Sequence, residues 1–135
     1  MFQSIDTSGS GLTTYRTWLD ALAHNIANVN DVTPTSGSAF QAQYVQAAAN
    51  SDSTDGVGTG VHVSGIQYSD AQGVTTYDPS NPAADAEGNV RRPDIDMGEQ
   101  MGDLIMAQRA FQANANVVDR SKDMYESAIA IGKGM

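Results

Sequence analysis

The fold is decided by the stretch Met97-Gly-Glu-Gln-Met-Gly-Asp-Leu-Ile-Met-Ala-Gln-Arg-Ala-Phe-Gln-Ala-Asn-Ala-Asn-Val-Val118, which carries one periodic pattern without a proline. From Met97 onward, apolar or small residues recur at spacings of three and four: Met97, Met101, Leu104, Phe111, Ala115, Val118, Tyr125 and Ile129. Gln108 and Lys122 are the two polar positions in this register. The pattern predicts one continuous helix of about 35 residues, roughly 50 Å long at ~1.5 Å per residue. A helix this long in so short a chain requires a packing partner.

Both ends of this predicted helix carry recognisable signals. Asp96 and Glu99 have the spacing of a capping box, and Pro93 lies just outside it. Gly132 stands where a left-handed residue commonly ends a helix. We therefore assign residues 96–135 to a long C-terminal helical unit.

Charged side chains inside the long helix predict one local ion pair and leave one cation without a local partner. Lys122 and Glu126 are four residues apart, which favours a pair on the helix surface. Arg109 has no carboxylate three or four positions away on either side. Two interpretations of Arg109 stay open: a solvated side chain, or a salt bridge to another chain.

A second periodic segment lies over residues 8–28. Its apolar positions alternate strictly at spacings of three and four: Leu12, Tyr15, Leu19, Leu22 and Ile26. This pattern predicts a shorter helix, within an N-terminal unit of residues 1–30. Gly9 and Gly11 each weaken its first turn by up to ~1 kcal/mol, so we expect that turn to fray in isolation.

Residues 31–95 form a loop-rich middle with a predicted β-hairpin over 61–77. Val61 and Val63 alternate with polar residues, a turn follows at residues 69–73, and residues 74–77 return as a second strand. Residues 40–49 are predicted as a weak strand or an irregular segment.

An extended loop is predicted over residues 78–93, because its prolines exclude a helix or a central strand. Long loops of this kind are usually functional or packed on a neighbour. The residues that we expect to make such contacts are Tyr77, Pro79, Pro82, Asp85 and Gly88.

Composition and charge exclude several classes of function. The net charge is −9 and the chain has no cysteine, so disulfides and thiolate metal sites are excluded. Every charged residue between 17 and 90 is acidic, whereas both ends are close to neutral and can pack against copies of themselves. Without a basic patch, nucleic-acid binding is not expected. No apolar run approaches the ~18 residues of a membrane span, and no cleavable signal is visible, so direct membrane insertion is not expected.

No catalytic, cofactor-binding or metal-binding motif stands out. Asp20 and His24 lie on one helical face but lack a third ligand, so a surface hydrogen bond explains them better than a metal. The acidic loop residues Asp78, Asp85 and Glu87 lack the spacing of a calcium-binding loop. The sequence therefore predicts neither an enzyme nor a cofactor.

Three motifs in order resemble the bacterial flagellar axial proteins, which build the rod and hook. The first is Ser8-Gly-Ser-Gly-Leu followed by Leu19-Asp-Ala-Leu-Ala-His-Asn-Ile-Ala-Asn-Val-Asn, and the second begins at Met101 and ends at Val118. The third, Tyr77-Asp-Pro-Ser-Asn-Pro-Ala-Ala-Asp-Ala-Glu-Gly-Asn-Val followed by Pro93-Asp-Ile-Asp, is similar to the short subunits of the proximal rod. The resemblance covers essentially the whole chain.

The resemblance implies a fold that is mainly α with a small β element, whose terminal helices pair as an antiparallel coiled coil. In that pairing the apolar positions from Leu12 to Ile26 would face those from Met101 to Val118. The residues implied in packing and assembly are Leu12, Tyr15, Leu19, Leu22, Ile26, Met101, Leu104, Gln108, Arg109, Phe111, Ala115, Val118, Tyr125 and Ile129.

The implied function is that of a structural subunit of the periplasm-spanning rod, which transmits torque and catalyses nothing. The implied partners are copies of the chain, other rod proteins, the flagellar export apparatus, which would export it without a cleaved signal, and the surrounding membrane-ring protein. Two alternatives stay open: another rod or hook protein of the same family, or a small periplasmic binding or peptidoglycan-acting module.

Overall fold

A computed structural model describes residues 2–50 and 58–133 as two helices joined by four short strands. The elements are α1 (Phe2–Asn28), β1 (Gln43–Ala49), β2 (Val61–Tyr68), β3 (Val74–Tyr77), β4 (Asn89–Arg92) and α2 (Met97–Lys133). This order confirms the expected class, a mainly helical fold with a small antiparallel β element.

Helix α2 begins where its cap residue predicts. Asp96 Oδ1 accepts hydrogen bonds from the backbone N–H groups of Gly98 and Glu99, at 2.7 and 3.1 Å. These bonds satisfy amides that have no partner inside the first turn, so the Asp96 cap is confirmed. The C-cap prediction at Gly132 is wrong, because helical backbone continues through Gly132 to Lys133 and its φ is not positive.

Helix α1 begins at Phe2, well before the predicted residue 8, and includes Gly9 and Gly11 in its interior. In the whole chain this first turn is helical and the start of α1 lies beside α2. The rings of Phe2 and Tyr125 meet edge to face, with centroids 5.9 Å apart. Such packing outweighs the weak propensity of glycine. Within the described ranges, neither helix combines the length and apolar character needed to cross a membrane.

The predicted β-hairpin over residues 61–77 is wrong in its pairing. Strand β2 pairs antiparallel with β1, whereas β3 pairs antiparallel with β4. The register of β1 and β2 shifts between Gln46 and Ala47, so that Ser64 is an extra residue whose Oγ donates to the Gln46 backbone oxygen at 3.1 Å. Sequence reasoning missed β1 as a partner because its last residues are a run of alanines, which give no alternating apolar signal.

Strand β4 lies inside the segment that was predicted to be an extended loop over 78–93. The prolines exclude a strand only where they stand, and residues 89–92 lie between Gly88 and Pro93. Val90 of β4 is fully buried. Arg91 exchanges two backbone hydrogen bonds with Thr33, at 2.9 and 3.0 Å, which ties the start of the middle region to its end.

The buried apolar core is small and lies where the elements meet. Its members are Ala21, Leu22, Ala39, Ala42, Val90 and Ala107. Most are alanines, so the chain buries little apolar surface on itself and leaves large side chains exposed.

Candidate assembly surface of the helix pair

Two buried side-chain amides join three elements at one point. Asn25 of α1 is 0% exposed and Gln100 of α2 is 2% exposed. Asn25 Nδ2 donates to Gln100 Oε1 at 2.9 Å and to the Gln43 backbone oxygen at 3.0 Å, while Asn25 Oδ1 accepts from the Gln43 backbone N–H at 2.8 Å. The Asn25 amide is therefore fully bonded, as burial requires, and it locks α1, β1 and α2 together.

A glycine marks a close approach of the two helices farther along the pair. A methyl group placed on Gly11 would lie 2.9 Å from Asn114 Oδ1, which is inside normal contact distance. Asn114 Nδ2 donates to the Ala110 backbone oxygen at 2.9 Å, so the side chain is held on its own helix. Because Gly11 has no side chain, the two helices come close at this level.

These two contacts define an antiparallel register that repeats every seven residues. Gly11 and Asn25 are two heptads apart in α1, as Asn114 and Gln100 are in α2. Halfway between them in sequence are Trp18 on α1 and the fully buried Ala107 on α2. The packed face of each helix is thus built from glycine, alanine, amide and hydroxyl side chains, with Leu104, Phe111 and Val118 between them on α2.

The predicted packing residues differ in how far they are buried. Leu22 is buried; Leu12, Tyr15, Leu19, Ile26, Leu104, Phe111, Ala115 and Val118 are half-buried; Met101, Gln108, Arg109, Tyr125 and Ile129 are exposed. Leu19 shares a recess with Phe111 and Ala115, which belong to the other predicted stripe. The facing of the complete stripes stays a prediction, and small residues such as Gly11 allow the helices to come close beside them.

One flank of the pair brings several of the predicted residues together. Leu19 of α1 and Gln108, Phe111 and Ala115 of α2 line a recess of about 430 Å³, with Gln112 at its edge. Residues that sequence reasoning placed on two facing stripes thus share one surface between the helices.

The opposite flank carries the aromatic residues and Arg109. Tyr15 and Trp18, with ring centroids 6.1 Å apart, line a recess of about 440 Å³ with Met106, Arg109 and Ala110. The same two aromatics line a recess of about 220 Å³ beside Val45, Ala47 and Val61. The β1–β2 hairpin therefore lies on this flank of α1.

The last turns of α2 are exposed. Phe2, at the start of α1, contacts Tyr125, and residues 126–133 follow this contact along α2. Lys122 Nζ lies 3.7 Å from Glu126 Oε1, which confirms the predicted pair, and both side chains are exposed. Exposed pairs of this kind contribute only about 0.3–0.5 kcal/mol.

The five predicted loop-contact residues fall into two groups. Asp85 and Gly88 stabilise the loop itself: Asp85 Oδ1 accepts from the Asn89 backbone N–H at 2.8 Å, and Gly88 is buried with a φ of 82°. Tyr77, Pro79 and Pro82 are exposed. Only this second group is available to a neighbouring molecule, and its role stays a prediction.

Hydrogen bonds hold two loop carboxylates in their charged form. The Ser80 hydroxyl and the Asn81 amide, both donating to Asp78, lower the pKa of that carboxyl. The Asn89 backbone N–H and the Thr35 hydroxyl lower the pKa of Asp85, against the opposing effect of burial. Both carboxylates are thus occupied by the loop that they organise.

The pKa of a phenol at the base of the β1–β2 hairpin, that of Tyr44, shifts in the opposite direction. Partial burial raises the pKa of Tyr44, and the negative charges of Glu99 and Asp94 raise it further. Tyr44 therefore lies near the start of α2, which places the open end of this hairpin beside the Asn25–Gln100 pair.

Sequence reasoning missed Gly11, Asn25, Gln100 and Asn114, because it treated glycines and polar residues as interruptions of an apolar stripe. The sequence does contain a pattern that indicates this helix contact. Gly11, Trp18 and Asn25 are spaced by seven, and so are Gln100, Ala107 and Asn114. Two heptad series of small and amide residues in two predicted helices indicate a close contact between those helices.

Comparison with known proteins first defines a class. Residues 86–131, which include β4 and most of α2, match the sequence model described as "Flagellar basal body rod FlgEFG protein C-terminal". The matched region thus includes α2 as far as Ile131 and none of α1.

Full-length relatives identify the particular family. The flagellar basal-body rod protein FlgC of Borreliella burgdorferi is 32% identical, over 99% of both chains. FlgC of Escherichia coli O157:H7 is 34% identical over 95% of both chains, and FlgC of Bacillus subtilis is 29% identical over 98% of both. The chain belongs to the FlgC family of flagellar basal-body rod proteins.

Proposed function

We propose that this chain is a structural subunit of the bacterial flagellar rod, which acts by packing into a helical shaft and catalyses no reaction. One observation carries the proposal: relatives named as rod proteins align with the chain from end to end. The residues that align include both helices, whose paired surface leaves large apolar side chains exposed. A subunit of an assembly is expected to bury such side chains against its neighbours.

The geometry supports assembly through the helices. Met101, Ile105 and Met124 are each roughly half exposed on α2, although they are apolar. Burying one such side chain between subunits is worth roughly 1.5–3 kcal/mol, so several together can hold a subunit in place. Torque would then be carried by many packed contacts shared among neighbouring subunits.

Three carboxylates among the described residues have structural roles, which supports a role without catalysis. Asp78 and Asp85 accept hydrogen bonds within their own loop, and Asp96 caps α2. A general acid or base needs a carboxyl that is free to exchange a proton with a substrate. These three carboxylates already accept hydrogen bonds from nearby groups of their own segments.

We further propose that the chain lies in the proximal rod and reaches it through the flagellar export apparatus without a cleaved signal. Its partners there would be copies of itself and other rod proteins. The near-neutral helices favour such contacts, because self-repulsion between them is small. The exposed loop residues Tyr77, Pro79 and Pro82 are candidates for contact with a neighbouring rod subunit or the surrounding membrane-ring protein.

The proposal is tested by deleting the gene in its own host and imaging basal bodies by electron cryotomography. We expect membrane rings without a rod and a loss of motility, both restored by the wild-type gene. Leu22→Asp, which places a charge in the buried helix contact, should fail to restore them. Thr13→Asp, on the exposed face of the same helix, is the matched control and should restore both. Rods and motility in the deletion strain would contradict the proposal.

A further inference from the structure

The β1–β2 hairpin lies along α1 and is hydrogen-bonded to it at both ends. At one end, Asn25 exchanges two hydrogen bonds with the backbone of Gln43. At the other end, the Val61 backbone N–H donates to Ser10 Oγ at 3.0 Å. Asn25 and Ser10 are separated by about 22 Å of helix. Strand β1 covers about 20 Å between Gln43 and the residue that pairs with Val61, so the hairpin spans the distance between its two attachments.

The two attachments differ in strength. Asn25 is 0% exposed and also bonds Gln100 of α2, so this attachment is part of the interior of the helix pair. We name it the hinge. Ser10 is half-buried, and its hydroxyl donates to the Thr7 backbone oxygen at 2.7 Å while it accepts from Val61. We name this attachment the latch. A neutral hydrogen bond at a half-buried residue contributes little net stability, because water replaces it when it breaks.

Between hinge and latch, the hairpin packs incompletely on α1. A recess of about 220 Å³ separates the two elements there. It is lined by Thr14, Tyr15 and Trp18 of α1 and by Val45, Ala47 and Val61 of the hairpin. Atoms that line such a space lack contacts on one side and gain less attraction than atoms in a filled interior. Lifting the hairpin from this part of α1 therefore breaks few contacts.

The hairpin itself is held together up to the latch. Its antiparallel pairing runs from Gln43 to Ala49 on β1. Beyond that pairing, the Asn50 backbone N–H donates to the Gly60 backbone oxygen at 2.9 Å, and Asn50 Oδ1 lies 2.7 Å from His62 Nδ1. These bonds lie within the hairpin, so they are kept when the bond to Ser10 breaks.

We propose that the β1–β2 hairpin is a strap over α1 that opens at the latch and turns about the hinge. In the closed form, which the structure shows, it lies over Thr14, whose exposed fraction is 7%. Opening replaces the bond between Val61 and Ser10 by bonds to water, and it uncovers the side of α1 that carries Tyr15 and Trp18. One flank of the helix pair thus has two forms within a single chain, which goes beyond the role of a static subunit.

Thiol labelling of the purified full chain measures the opening. The chain has no cysteine, so Thr14→Cys places one reactive group under the strap. Adding Ser10→Ala should speed its reaction with a disulfide reagent such as dithiobis(nitrobenzoate) by about fivefold, the factor expected for one net hydrogen bond. Thr13→Ala is the matched control, because its hydroxyl donates to the Gly9 backbone oxygen within α1 and not to the hairpin. It should leave the labelling rate unchanged.

Two further positions distinguish opening of the strap from unfolding. Ser121 is 3% exposed on α2, so Ser121→Cys reports on the helix pair. Its labelling rate should be the same with and without Ser10→Ala. The Gln43 amide, which donates to Asn25, reports on the hinge. Its hydrogen exchange should also be unchanged by Ser10→Ala.

A second variant acts on the latch from the hairpin side. Gly60 has a φ of 114°, and a methyl group added to it would overlap the side chain of Ser10. Gly60→Ala should therefore speed labelling of Thr14→Cys at least as much as Ser10→Ala does. Gly58→Ala is its control, because no atom lies within 4 Å of the added Cβ.

Three outcomes would overturn the proposal. Equal labelling of Thr14→Cys in the Ser10→Ala and Thr13→Ala backgrounds would mean that Ser10 is not a latch. Faster exchange of the Gln43 amide, in step with labelling, would mean that the hairpin detaches as a whole and has no hinge. Faster labelling of Ser121→Cys would mean that the change loosens the helix pair instead of opening a strap.

Discussion

The side-chain amides of Asn25 and Gln100 are hydrogen-bonded at 2.9 Å in the interior of the helix pair, with almost no solvent exposure on either residue. Asn25 also exchanges two hydrogen bonds with the backbone of Gln43. A buried amide is stable only beside groups that form hydrogen bonds with it, because each unpaired polar atom costs free energy. This pair therefore specifies one arrangement of the two helices and the β1–β2 hairpin, where an apolar contact would permit several.

Replacing Asn25 with leucine should destabilise the fold strongly. The change leaves Gln100 and the Gln43 backbone without partners, and we expect a loss of about 2–4 kcal/mol in the free energy of unfolding. Urea titration followed by circular dichroism measures it. Asn28→Leu, at the more exposed end of α1, is the control and should change stability by less than about 0.5 kcal/mol. The double variant with Gln100→Leu should cost less than the two single changes added together, since it removes one of the orphaned groups.

Substituting leucine for Gly11 should force the helices apart. The side chain would enter space held by Asn114, and we expect a loss of about 1–3 kcal/mol. Gly9→Leu is the matched control, because no atom lies within 4 Å of the added Cβ and leucine favours the helix. That control should gain up to about 1 kcal/mol. The same sign of change for both variants in thermal unfolding would show that the close contact at Gly11 does not limit the packing.

Alanine at Gly88 should strain the loop that carries Tyr77 and Pro79. The φ of 82° disfavours any side chain, and the added methyl would lie 2.9 Å from the Tyr77 ring and 3.0 Å from Pro79 Cβ. We expect a cost of about 1–3 kcal/mol in urea unfolding. Gly102→Ala in α2 has open space and should instead stabilise by about 0.5–1 kcal/mol. An unchanged midpoint for Gly88→Ala would mean that the loop relaxes at little cost.

Lowering the pH should destabilise the same loop. The folded pKa values of Asp78 and Asp85 lie below their ordinary value of 3.8. The stability that they contribute is therefore fully present above that value and is lost as the pH falls through the lowered folded pKa. Hydrogen exchange of the Asn89 amide, measured over a descending pH series and corrected for intrinsic exchange, should show protection falling in this window. Asp85→Asn should flatten the change, whereas Asp70→Asn, in the β2–β3 turn, should not.

How much the sequence predicts depends on the size of the residues that make each contact. Large apolar side chains at helical spacing, together with Asp96, predicted both helices and the start of α2. The alanines of β1 and the four residues of β4 carry too weak a pattern, so strand pairing was decided by tertiary contacts that the sequence does not display. Gly11 and Ala107 in the helices were missed for a related reason, because small residues do not contribute to an apolar stripe. The large residues that stay exposed beside them are the candidate assembly surface.

The antiparallel helix pair has a practical consequence for labelling. Phe2 lies beside Tyr125, so the beginning of α1 and the last turns of α2 occupy the same end of the molecule. A fluorescent protein attached before α1 or after α2 would thus lie at one and the same end of the helix pair, whichever terminus carried it. The exposed turn at Asp70 and Gln72, between β2 and β3, offers a site remote from the helix termini in sequence. A small peptide epitope inserted there is the better handle for following the subunit in living cells.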